Sequence, residues 1–124
     1  MTRAVLGIIG GSGIYDLPGL EDVREETIES PWGEPSAALT RGVIGGLPVA
    51  FLPRHGKGHV LSPSDINYRA NIYGFKVLGV EAIISASAVG SLREELRPLD
   101  IVFPEPDRVS PGVIASAAMS GSTF

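Results

Sequence analysis

The sequence predicts an α/β fold with a mixed central β-sheet flanked by helices. Three observations lead there. Apolar runs of strand length recur at Ala4–Ile9, within Ala37–Leu52, and at Val80–Ser87. Between the last two, Ser62 to Gly79 spaces its apolar residues at helical intervals instead. The resulting order of strand, hairpin, helix, strand and strand is that of an α/β domain.

Each element has its own reason. Ala4 to Ile9 is a continuous apolar run ending at Gly10-Gly11-Ser12-Gly13, the pattern of a buried strand followed by a tight loop. Ile14 to Glu29 is mixed and acidic, with a short helical turn expected at Leu17 to Leu20. Ser36 to Leu52 reads as a β-hairpin, Ala37–Ile44 and Leu47–Leu52 joined by Gly45-Gly46. Pro53 to His59 is a polar, glycine-containing loop. Ser62 is the expected N-cap of the helix, with Pro63 at its first position and Asp65 completing a capping box. Ile66, Ala70, Tyr73 and Val77 mark its buried face, and Gly79 ends it. Val80 to Ser87 is the next strand, and Pro98 to Pro104 holds a last short one. Trp32 is expected to anchor a satellite of the core. Glu94 and Glu95, adjacent and so not facing one another, read as a solvated helix start. Pro106 to Phe124, rich in Ser, Ala, Gly and Pro without a clear period, is expected to be a disordered tail. Residues 1–104 thus form the folded unit and 105–124 diverge from it.

Composition narrows the function. At 124 residues and 44% hydrophobic, the chain supports one modest core. The 16 glycines and 10 prolines imply many tight turns, common where loops hold a ligand. A net charge of −4 with scattered basic residues argues against a nucleic-acid partner. With no cysteine there is neither a disulfide framework nor a thiolate metal site. No stretch approaches the ~20 apolar residues that span a bilayer. A cytoplasmic protein with no membrane partner is expected.

Three segments carry donors suited to an anion, each just past a strand. Gly10-Gly11-Ser12-Gly13 offers unobstructed backbone N–H groups and a hydroxyl, or is simply a tight turn. Its spacing fits neither a P-loop nor a dinucleotide fingerprint. Arg54-His55-Gly56 offers a guanidinium fork and an imidazole, or is an ordinary solvated loop. Ser87-Ala88-Val89-Gly90-Ser91 offers a hydroxyl and exposed amides, or is a packed turn of small residues. Together they describe a single phosphate held by Ser12, Arg54, His55, Ser87 and an N–H near Ala88, at the strand ends where α/β folds place ligands. His59, Asn67 and Tyr68 are candidates for the substrate side of that site, or cap and pack locally.

Read together, these segments resemble the methylthioadenosine phosphorylase and trimeric purine nucleoside phosphorylase family. The residues that carry the resemblance are Ile8-Ile9-Gly10-Gly11-Ser12-Gly13, Pro31-Trp32-Gly33-Glu34-Pro35-Ser36, Arg54-His55-Gly56 and His59. Pro63, Asn67-Tyr68-Arg69-Ala70-Asn71, Ser87 to Glu95 and Pro98-Leu99-Asp100-Ile101-Val102 follow in order. The resemblance implies cleavage of a purine nucleoside's N-glycosidic bond by inorganic phosphate as co-substrate. It also implies phosphate contacts at Ser12, Arg54, His55, Ser87 and Ala88, no cofactor, and a homotrimer for the full-length family. Within the family, Ser87 to Glu95 and Pro98-Leu99-Asp100 favour the methylthioadenosine type over enzymes acting on 6-oxopurine nucleosides or methylthioinosine. A third reading is a fragment that binds phosphate or a partner without turnover. After Pro104-Glu105 the family pattern gives way to Pro106-Asp107-Arg108-Val109-Ser110, so a truncated fold is expected, lacking the base- and ribose-binding residues.

Overall fold

The computed structural model describes residues 3–103 and 117–120. Seven strands form one mixed sheet: β1 (Leu6–Gly10), β2 (Glu21–Glu26), β3 (Leu39–Ile44), β4 (Leu47–Pro53), β5 (Ala82–Val89), β6 (Ile101–Val102) and β7 (Ala117–Ser120). Their order across the sheet is β2-β3-β4-β1-β5-β7-β6. A helix, α1 (Tyr68–Val77), connects β4 to β5. This α/β mixed sheet is the architecture the apolar runs predict.

The centre is parallel. Leu6 of β1 lies opposite Val49 of β4 on one side and Ala82 of β5 on the other, and the register continues to Gly10 against Pro53 and Ala86. The β3–β4 hairpin turns where expected, with Ile44 opposite Leu47. Gly45 and Gly46 take φ of 56° and 81°, the double left-handed turn whose twist suits a hairpin and which side chains with a β-carbon resist.

The core sits between α1 and the β1–β4 side of the sheet. Ile9, Leu39, Ala50 and Leu52 pack there with Phe75 and Leu78. The helix approaches closely because β1 yields room: a β-carbon at Gly7 would lie 2.7 Å from Phe75 Cδ1. The helix ends as predicted. Gly79 N–H donates to the Lys76 carbonyl at 3.0 Å and Val80 N–H to the Phe75 carbonyl at 3.1 Å, a Schellman closure.

Several elements depart from expectation. The helix begins at Tyr68, not at Pro63. Ser62 and Asp65 instead close their own turn, the Asp65 amide donating to the Ser62 carbonyl at 2.9 Å and the Ser62 hydroxyl to Asp65 Oδ2 at 2.5 Å. Asn67 is the N-cap, its Oδ1 accepting from Ala70 N–H at 3.1 Å. The buried helix face is Ala70, Asn71, Gly74 and Phe75, while Val77 is 53% exposed. No helix forms at Leu17 to Leu20, and β2 follows directly. That strand, Glu-Asp-Val-Arg-Glu-Glu, hides almost nothing; its pairing with β3, not burial, makes it a strand. Trp32 is half exposed, and its ring meets that of Tyr73 edge-on, at 5.5 Å between ring centroids. Glu94 and Glu95 lie in exposed turns. Of the expected tail at 105–124, only Ala117–Ser120 falls among the described residues, and it forms β7, inserted between β5 and β6. Among the described residues, no helix is long and apolar enough to cross a membrane.

Candidate anion site at three adjacent strand ends

Because β4, β1 and β5 are neighbours and parallel, their C-terminal ends open onto one edge of the sheet. The residues that follow are Arg54, Gly11 and, within β5, Ser87. The backbone locks them together. Arg54 N–H donates to the Gly10 carbonyl at 2.8 Å, and Gly11 N–H donates to the Ala86 carbonyl at 2.7 Å.

The side chains converge on one point. A β-carbon placed on Gly11 would sit 2.5 Å from Ser87 Oγ and 2.7 Å from Arg54 Nη2. Gly11 is therefore a window through which a guanidinium and a hydroxyl face the same small volume. Ser87 is 5% exposed and Arg54 half buried. Among the described residues the Arg54 guanidinium has no carboxylate and no hydrogen-bond acceptor. A half-buried cation left without a counter-charge is costly, and an anion with several acceptor oxygens is what its forked donors match.

The remaining predicted residues fall into three groups. Ser12 lies in the turn after β1, half buried, its hydroxyl without a partner among the described residues. The Ala88 amide is not an open donor: it gives its hydrogen to the Ser12 carbonyl at 2.9 Å. The amides of Ser12 and Gly13, unengaged among the described residues, are the open backbone donors here. His55 is 4% exposed, its Nδ1 bonded to the Leu61 carbonyl at 2.9 Å and its Nε2 buried without a partner among the described residues. His59 stacks on it, with ring centroids 4.3 Å apart and planes 15° from parallel. Its Nδ1 shares a hydrogen bond of 3.0 Å with the Tyr15 hydroxyl.

Asn67 and Tyr68 stand apart from this group. Besides capping α1, Asn67 donates from Nδ2 to the Trp32 carbonyl at 2.6 Å, and the Tyr68 hydroxyl donates to the Pro63 carbonyl at 3.2 Å. Beside them, buried Asn71 accepts from Ser36 N–H at 2.8 Å and donates to Ser36 Oγ at 3.0 Å. These amides tie the segment before β3 onto the helix. A cleft of about 390 Å³ lined by Tyr15, Leu20, Thr40, Phe51, Pro53 and Lys57 borders the site, but neither Arg54 nor Ser87 lines it. Among the described residues, no group of three His, Asp or Glu is placed to hold a metal ion. Tyr15 and Leu61, which steer the two histidines, were not singled out in the sequence; a Tyr two residues past the glycine loop was the one available signal.

Fold and site define the class. Residues 5–114 match the model of the phosphorylase superfamily, and the chain belongs to that family. Among its relatives it is similar to the S-methyl-5'-thioadenosine phosphorylase of Bradyrhizobium diazoefficiens, 71% identical over 98 residues that make up 79% of this chain and 34% of the relative. The enzyme of that name from Rhodospirillum rubrum is 62% identical over 83% of this chain and 35% of its own length. A crystal structure of methylthioadenosine phosphorylase from an antarctic soil metagenomic library superposes with a TM-score of 0.73 at 55% identity, covering 80% of this chain and 34% of that one. Methylthioadenosine phosphorylase from Schistosoma mansoni in complex with adenine gives 0.73 at 43%, covering 80% and 36%. The chain thus spans about a third of the length of these relatives.

Proposed function

We propose that this chain supplies the phosphate-holding part of an S-methyl-5'-thioadenosine phosphorylase. The reaction is phosphorolysis of 5'-methylthioadenosine to adenine and 5-methylthioribose 1-phosphate, a pentosyl transfer in purine and methionine salvage. The observation that carries the reading is the Arg54 guanidinium, unpaired among the described residues and facing the same point as Ser87 Oγ across Gly11. The likeness to enzymes of that name over four-fifths of the chain favours this nucleoside over a 6-oxopurine one.

The chemistry suits such a site. Glycosidic cleavage develops positive charge on the sugar. A phosphate held under that sugar is both the nucleophile and a stabilising anion. Arg54, Ser87 and the open amides of the glycine loop would orient it, so the contribution is positioning and electrostatics. Inorganic phosphate is a substrate in this scheme, and the scheme needs no cofactor. The nucleoside is the second partner, in a homotrimeric assembly.

The test is phosphate-dependent adenine release from methylthioadenosine by the purified chain, beside phosphate titration by thermal shift. Arg54→Ala removes charge-assisted hydrogen bonds and is expected to weaken phosphate about ten- to hundredfold. Gly11→Ala, which fills the window, is expected to do at least as much. A wild-type chain blind to phosphate overturns the reading. A chain that binds phosphate but releases no adenine confines it to phosphate holding.

A further inference from the structure

We propose that His59 is a positioning residue for His55: clamped by Tyr15, its ring braces the His55 imidazole and fixes which nitrogen an anion can meet. A carbonyl oxygen can only accept, so the 2.9 Å contact with Leu61 assigns the proton to His55 Nδ1. Nε2 is then the nitrogen that is a bare lone pair in neutral His55 and a donor in the imidazolium. It is buried and has no partner among the described residues, the state of a polar atom whose ligand is supplied from elsewhere.

What keeps the ring in that orientation is on the page. The Leu61 contact holds the imidazole by one nitrogen only, and the terminal torsion of such rings is broad. A second flat ring 4.3 Å away and nearly parallel closes that freedom from one face. The brace is itself held. His59 adopts a left-handed backbone, φ 55°, rare for a residue with a β-carbon. Its N–H donates to the Gly56 carbonyl at 3.2 Å, and the Tyr15 ring meets its ring edge-on at 5.6 Å and 79°. Tyr15 belongs to the loop after β1 and His59 to the loop after β4. The stack therefore joins the segment presenting Ser12 to the one presenting Arg54 and His55.

The anion part of this inference rests on the phosphate reading above; the brace does not, and the experiment separates them. Long-range proton–nitrogen correlation spectra of the full chain report the tautomer of each histidine. Wild type is expected to show His55 as a single Nδ1–H tautomer. His59→Ala, an exposed substitution, is expected to mix the tautomers and weaken phosphate about tenfold. His59→Phe, which keeps a flat ring without a titrating nitrogen, is expected to restore both. An unchanged His55 signal and phosphate affinity in His59→Ala overturns the inference, as does a His59→Phe variant no better than His59→Ala. If the tautomer follows the ring at position 59 while wild type ignores phosphate, the proposed function falls and the brace stands.

Discussion

On one side of β1 lie β4, β3 and the exposed edge strand β2, and α1 and the segment from Thr27 to Ala38 close down over β4 and β3. Leu39, Ala50, Leu52 and Phe75 are at most 1% exposed there. On the other side lie β5, β7 and β6. There Ile83 and Ile84, on opposite faces of β5, are 36% and 49% exposed, and Ile101 and Phe103 are 63% and 79% exposed. The same sheet thus has a closed half and an open half, and the candidate anion site lies on the seam. Arg54 and Gly11 come from the closed half, and Ser87 from the first strand of the open one. A site on such a seam takes its rigidity from one side and is accessible from the other.

That contrast can be broken from the closed side first. Phe75→Ala empties the centre of the packed half and is expected to cost about 3–5 kcal/mol, a large part of a domain's stability. Urea unfolding measures it; a loss below about 1 kcal/mol would mean the closed half is not what holds the sheet. Asn67→Ala removes the helix cap and the tether to Trp32 together, with an expected loss of about 1–2 kcal/mol by the same measurement. The open half should respond least. Ile84→Thr with Ile101→Thr is expected to shift stability by no more than about 0.5 kcal/mol while raising solubility. A loss comparable to Phe75→Ala would show that this face is packed in solution, and the contrast would fail.

The sequence made some elements easier to read than others, for physical reasons. Ala4 to Ile9, the Gly45-Gly46 hairpin and the Gly79 stop each combine apolar run and punctuation in one place, so local chemistry and fold agree. Strand β2 carries no apolar alternation. Its backbone is satisfied by β3, and a pairing partner thirteen or more residues away leaves no local trace. The helix start slipped because Ser62 and Asp65 satisfy a capping pattern by bonding to each other, while Asn67 alone does the capping. The convergence of Gly11, Arg54 and Ser87 was legible because two of them follow an apolar strand and the third lies near the end of one, and adjacency of parallel strands does the rest. The His55–His59 stack was not. Which way a loop folds back depends on left-handed turns at Gly56, Gly58 and His59, and residue type predicts only the glycines.

Gly11 is the least forgiving position of the candidate site. Every residue that can replace glycine is larger, and here the first added carbon falls between the Ser87 hydroxyl and the Arg54 guanidinium. Arg54, Ser87 or Ser12 can each be exchanged for a side chain that keeps part of its chemistry. Position 11 has no such graded substitute. Under the phosphate reading proposed above, a change at this position closes the space between Ser87 and Arg54 in a single step, whichever residue is chosen.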